Sequence, residues 1–175
     1  MALLQIGKSK EACTGRVAGI DLGTTYSLVS VVEEGTPRVL RDAEGRAALP
    51  SVAWFGEDGE VEVGYSARDA AGQRPTRTIA SAKRFMGRSH AEAQARDELS
   101  PYRFVPGADG PVVYFDLGKG QKVTPIEVSS RILAALGTRA QEALGGPLDG
   151  VVITVPAYFD DAQRQATKDA ARIAG

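Results

Sequence analysis

The stretch Gly19-Ile20-Asp21-Leu22-Gly23-Thr24-Thr25-Tyr26-Ser27 sets an acidic residue, a glycine and two threonines between two apolar runs. The flanks, RVAGID (Arg16 to Asp21) and YSLVSVVE (Tyr26 to Glu33), carry β-branched residues and read as the two strands of a hairpin. A turn that approaches polyphosphate closely needs backbone amides that converge on oxygens, a glycine that keeps bulk away, and hydroxyls that donate as well. Gly23, Thr24 and Thr25 supply all three. Asp21, at the end of the first strand, can face a magnesium ion, and because magnesium keeps much of its water shell the carboxylate would act through coordinated water. The same residues also suit a capped polar turn in which Asp21 accepts local amide bonds.

Working outward, Glu34-Gly35-Thr36-Pro37 supplies a second turn and PRVL a third short strand, so the chain opens as an antiparallel meander. From 41 to 121 the pieces are shorter and read as an inserted subdomain. SVAWF and VEVG suggest strands, YSARDAAG and IASAKRFMG short helices, and the Pro/Gly-rich stretch VPGADGPVVYFDLGKG connections. Thr124-Pro125-Ile126-Glu127 is a capping box with proline at the first helical position, which predicts a helix start. Val128, Ile132, Leu136, Ala140 and Leu144 recur at four-residue spacing along one side, and Gly145-Gly146-Pro147 stops the helix. GVVITV (Gly150 to Val155) is an unbroken apolar run that predicts a strand covered on both faces. Asp160-Asp161-Ala162-Gln163 is a second capping box, opening a last helix. The order is that of an α/β layer architecture.

Composition narrows the function classes. In 175 residues, 21 basic side chains stand against 22 acidic ones for a net charge of -1, which argues for neither nucleic acid nor an anionic membrane as partner. The single cysteine, Cys13, and the single histidine, His90, cannot build a disulfide framework or a Cys/His zinc cluster. The leading MALLQIGKSK is too short in its apolar part for a signal or a membrane span and reads as an N-terminal arm in a cytoplasmic protein. Neither G-x-x-x-x-G-K-[ST] nor G-x-G-x-x-G occurs, so P-loop and dinucleotide folds are unsupported.

GIDLGTTYS, AKRFMGR (Ala82 to Arg88) and VVITVPAYFDDAQRQATKDAARIAG (Val151 to Gly175), in this order, resemble the seventy-kilodalton heat-shock chaperones, the DnaK-like family. MALLQI, KRFMGRS, PYRF and LDGVVITVPAYFDDAQRQATKDAAR look most like the branch that serves iron-sulfur cluster assembly. Tyr26 stands where bacterial members often carry asparagine and others tyrosine. The resemblance implies an actin-like ATPase fold of two lobes with nucleotide in the cleft between them. It implies a ribonuclease-H-like core of the first lobe at 16–40 and 122–175, an inserted α+β subdomain at 41–121, and an arm at 1–15. The second lobe, the second phosphate loop, the adenosine-binding segment and the peptide-binding domain are expected beyond Gly175.

The resemblance also assigns roles. Gly23, Thr24, Thr25 and Tyr26 would bind the phosphates of ATP, and Asp21 would hold Mg2+ through water, with K+ as a further candidate cation. Composition alone makes Lys83 a solvated surface charge, whereas the matching family lysine orients the water that attacks the γ-phosphate. Arg84 would make polar contacts only. Pro156 and Arg164 match a relay between nucleotide state and the peptide-binding domain, and Lys168 and Arg172 share a helical face with Arg164. Trp54 reads as a core or partly exposed strand residue. The implied activity is that of an ATP-driven chaperone with a J-domain co-chaperone and an iron-sulfur scaffold protein as client. A general folding chaperone, an actin-like filament ATPase and a small-molecule kinase of the same fold are the rival readings. Residues 1–175 by themselves are expected to hydrolyse ATP negligibly, because a cleft site needs both walls.

Overall fold

The computed structural model of the chain describes residues 2–7, 15–96, 101–107 and 110–175. Cys13 lies outside them. The chain opens with strands β1 (Ala2–Gly7), β2 (Val17–Asp21), β3 (Tyr26–Glu33), β4 (Thr36–Val39) and the short β5 (Leu49–Pro50). Next come β6 (Val52–Phe55), β7 (Val61–Val63), helix α1 (Tyr65–Asp69), β8 (Thr78–Ala80), a 3-10 turn at Ala82–Phe85 and α2 (His90–Arg96). β9 (Phe104–Gly107), β10 (Gly110–Gly118) and β11 (Gln121–Val123) lead into α3 (Pro125–Leu144), β12 (Gly150–Val155) and α4 (Asp161–Ile173).

The main sheet runs β1-β12-β2-β3-β4, with β5 also paired to β3. β2, β3 and β4 form the expected antiparallel meander, and β12 lies parallel to β2 with Thr154 opposite Asp21. Two three-stranded sheets, β7-β6-β8 and β11-β10-β9, are built from the residues between. Arg77 fastens one to the other, its guanidinium donating to the carbonyls of Phe55 (2.6 Å) and Leu117 (3.0 Å).

Both capping boxes form. The Thr124 hydroxyl accepts from the Glu127 amide and the Asp160 carboxylate from the Gln163 amide, and in each case the fourth residue returns the bond. Gly145 ends α3 in the left-handed conformation at φ 68°, where its amide reaches back to the last turn. Val128, Ile132, Leu136 and Ala140 are buried against Ala18, Ile20, Val29 and Val31 of the sheet and Ala166 and Ala170 of α4. Each large member of such a stripe contributes roughly 1.5–3 kcal/mol of burial.

Four local expectations are corrected. Ala2–Gly7 is a strand rather than only an arm, pairing antiparallel with β12 from Ala2↔Val155 to Gly7↔Gly150 and satisfying what would be an open edge. IASAKRFMG is not a helix: Thr78 to Ala80 pair with β6, Ser81 turns the chain at φ 57°, and only Ala82–Phe85 coil. VPGADGPVVYFDLGKG is largely strand, because Val113, Phe115 and Leu117 alternate inward and β10 pairs on both sides. β12 is fully covered on one face only, since α3 and α4 share a core with Ile153 while Val152 and Thr154 stay partly exposed.

Candidate active site

The turn between β2 and β3 is tight at Gly23, where a Cβ would lie 1.9 Å from the Tyr26 carbonyl oxygen. Only glycine fits. Below it sit two buried hydroxyls. The Gly23 amide donates to Ser27 Oγ (3.1 Å), Ser27 and Ser51 share a hydrogen bond (2.9 Å), and Ser51 Oγ donates to the Gly23 carbonyl (2.9 Å). Thr24, Thr25 and Tyr26 are exposed above this base. Among the described residues no backbone carbonyl accepts the Thr24 or Thr25 amide.

Asp21 ends β2 on the sheet face that α3 leaves open, half-buried, with Thr154 Oγ1 donating to its Oδ1 at 2.8 Å. Parallel pairing of β12 and β2 puts the two residues in register. Lys83 joins them from the 3-10 turn. Its Nζ donates to the Leu22 carbonyl at 2.5 Å and stands 5.4 Å from the centre of the Phe159 ring. Burial pushes the Lys83 ammonium below the ordinary lysine range, and the charge of Asp21 opposes that shift. Lys83 is itself only partly exposed, between the buried neighbours Ala82, Phe85 and Met86. Arg84 is exposed.

The relay candidates converge on the same place. Arg164 holds the loop after β12, Nε donating to the Phe159 carbonyl (3.0 Å) and Nη2 to that of Ala157 (3.1 Å), and the Phe159 amide donates to the Pro156 carbonyl (3.2 Å). Phe159 is buried and faces Lys83, so Pro156 and Arg164 shape a loop one residue removed from the lysine. Gly87, at φ 68°, lets the lysine segment lie on the first turn of α4: a Cβ there would come within 2.7 Å of the Gln163 amide nitrogen. Lys168 is partly exposed, and Arg172 is exposed and pairs with Asp169 (3.2 Å). His90 stands near the Phe104 carbonyl (3.4 Å), away from this cluster, and Trp54 is a half-buried β6 residue under the Arg74 guanidinium.

The arrangement presents a carboxylate, an ammonium and a glycine-tight turn with outward hydroxyls at one end of β2. That donor set suits a metal-bound polyphosphate: free amides and hydroxyls for oxygens, one carboxylate for a hydrated hard cation, one cation for developing negative charge. A groove of about 750 Å³ opens at the other end of β2, lined by Arg16, Val17, Ser30, Val32, Asp149 and Val152, where the Asp149 carboxylate accepts from the Arg16 amide. Sequence reasoning missed Ser27, Ser51, Thr154 and Phe159. A signal existed for two of them: Ser27 falls on the inward phase of Ser27-Val29-Val31, and Thr154 interrupts an apolar run.

A family model described as Hsp70 protein matches residues 17–175. The chain is 56% identical over its whole length to Chaperone protein HscA of Salmonella paratyphi B and 54% identical to the Chaperone protein HscA homolog of Neisseria meningitidis serogroup B. It spans 29% and 28% of the length of these relatives. With the family model covering most of its length, and with the Gly23 turn, the Lys83 segment and the loop after β12 close together in the fold, the chain belongs to the Hsp70 family.

Proposed function

We propose that this chain forms one wall of the ATP-hydrolysing site of a chaperone, with the ribonuclease-H-like core at 16–40 and 122–175 and the insert at 41–121 as its building blocks. The observation that carries the reading is the placement of the Lys83 ammonium on the Leu22 carbonyl, within the field of Asp21 and at the foot of the Gly23 turn. In this reading Gly23, Thr24, Thr25 and Tyr26 hold the phosphates, Asp21 holds Mg2+ through water, and Lys83 orients the attacking water and meets charge that develops in the transition state. Mg2+ held there would supply charge neutralisation to the phosphate oxygens. K+ would be a second cation. Pro156 and Arg164 pass the state of the cleft to a peptide-binding domain through the loop that carries Phe159.

The resemblance of the sequence motifs extends the proposal to a J-domain co-chaperone, to an iron-sulfur scaffold protein as client, and to the cytoplasm as compartment. The opposite wall of the cleft belongs to the part of the family's length that these residues do not span, so residues 1–175 alone hydrolyse ATP negligibly. The test is made in the full-length protein. Lys83→Ala lowers the single-turnover hydrolysis rate by about 10²-fold or more while ATP affinity changes much less. Asp21→Asn weakens Mg2+-dependent binding together with the rate. Hydrolysis at the parental rate in Lys83→Ala would overturn the assignment.

A further inference from the structure

Ser27 and Ser51 are nearly inaccessible, at 0% and 2% exposure, and every polar contact of their hydroxyls runs to Gly23 or to each other. A serine hydroxyl has one proton to give. Ser51 gives its proton to the Gly23 carbonyl, so Ser27 must give its own to Ser51, and the remaining capacity of Ser27 accepts the Gly23 amide. The result is a closed, one-directional ring that begins on the Gly23 N–H and ends on the Gly23 carbonyl. In a trans peptide the N–H points opposite to the preceding carbonyl, and the chain has no cis peptide bond among the described residues. With the Gly23 carbonyl drawn down to Ser51, the Thr24 N–H is turned up, away from the core. The main chain of Ser51 repeats the device: its N–H donates to the Thr25 carbonyl (2.9 Å), which turns the Tyr26 N–H away from Ser51. The Ser51 carbonyl accepts from the Ser81 amide (3.2 Å), two residues before Lys83.

We infer that Ser27 and Ser51 are positioning residues for the phosphate turn, their hydroxyl ring fixing the peptide groups on both sides of Gly23 so that the Thr24 N–H is aimed at a phosphate oxygen. The inference rests on the nucleotide reading above and deepens it. Ser51 lies between β5 and β6, in direct bond to both the turn and the segment that carries Lys83, so it also sets the spacing between the two. A ring of this kind is lost whole when either member is removed.

The experiment uses the full-length protein with ATP and Mg2+ as probe. Ser51→Ala and Ser27→Ala each raise the dissociation constant for ATP roughly 10-fold, the first through an unpaired Gly23 carbonyl and the second through an unpaired Gly23 amide and a Ser51 hydroxyl that has lost its donor. The double variant stays within about 3-fold of either single one, where independent contacts would multiply to about 100-fold. KM rises with the dissociation constant and kcat changes little, because Lys83 keeps its bond to the Leu22 carbonyl. A purely structural role would lower the unfolding midpoint of the nucleotide-free protein and leave the ATP-induced rise of that midpoint intact; a positioning role shrinks the rise. Ser51→Thr, which keeps the hydroxyl, restores parental affinity. Should Ser51→Ala fail to fold, Ser27→Ala carries the same expectation, since it breaks the same ring. A folded Ser51→Ala or Ser27→Ala with parental ATP affinity, or multiplicative losses in the double variant, would overturn this inference alone. Absence of ATP binding by the parental protein would overturn the nucleotide reading and this inference with it.

Discussion

The turn at Gly23 and the segment at Lys83 reach the same point by opposite means. The turn is polar underneath Gly23: two buried hydroxyls hold the peptide groups on either side of that glycine, while Leu22 before it is buried in the core. The lysine segment is apolar underneath: Ala82, Phe85 and Met86 are buried, and Phe85 meets Phe104 at 4.9 Å and Phe115 at 5.7 Å. Hydrogen bonds fix the direction of a donor, whereas packing fixes the position of a backbone. A site that aims amides at oxygens needs the first, and one that brings a flexible lysine to a set depth needs the second. The two halves should therefore fail differently, one through ligand affinity and the other through stability.

The largest effect is expected where packing does the holding. Phe85→Ala removes a fully buried ring from an aromatic cluster and destabilises the chain by about 3–5 kcal/mol, measured by denaturant unfolding. A loss below about 1 kcal/mol would show that the lysine segment is held by something other than this ring. Gly87→Ala comes next. Its φ of 68° and a Cβ within 2.7 Å of the α4 backbone make it destabilising by about 2 kcal/mol or more, because backbone cannot move aside as a flexible side chain can. Unfolding midpoints of the two variants, compared with those of Ser27→Ala, would erase the contrast between the halves if all three were alike.

The legibility of the fold followed the range of the interactions. Thr124 with Glu127 and Asp160 with Gln163 act over three residues, so both helix starts could be read directly from the chain. The hairpin about Gly23 was legible for the same reason. β9 and β10 were not: Gly107, Gly110 and Pro111 look like loop residues, and their pairing depends on partners that composition does not name. IASAKRFMG failed as a helix because β6 claims Thr78 to Ala80, a contact some 25 residues away in sequence. At the site, Asp21 and Gly23 are legible on chemical grounds, as a carboxylate at a strand end and a glycine in a tight turn, but the inward course of Lys83 comes from family resemblance alone. Periodicity could not supply it, since the burial of Phe85 and Met86 against β9, β10 and α3 is a tertiary fact. Ser51 was invisible for that reason too, its partners lying at Gly23 and Ser27.

The smallest expected effect concerns the place where the halves meet. Lys83 is held by the apolar segment, yet its charge is faced by the Leu22 carbonyl, the Phe159 ring and the Asp21 carboxylate. Burial disfavours the ammonium and lowers its pKa, and Asp21 is the cause that opposes the shift. Asn at position 21 would keep an oxygen for the Thr154 hydroxyl while removing the charge, so Asp21→Asn should move the Lys83 pKa further down without dislodging the strand. The sign for stability follows from proton counting. A lysine with a depressed folded pKa binds fewer protons in the native state than in the unfolded one between the folded value and the ordinary lysine value, so stability rises with pH across that window. Below the folded value the penalty for burying the charge is present in full. In Asp21→Asn the window opens at lower pH and the rise across it is larger. Carbon-detected titration of the Lys83 side chain, followed in the parental protein and in Asp21→Asn, reads the shift directly. An upward or unchanged pKa in Asp21→Asn would mean that the carboxylate does not act on the ammonium, and the turn and the lysine segment would then be neighbours without electrostatic coupling.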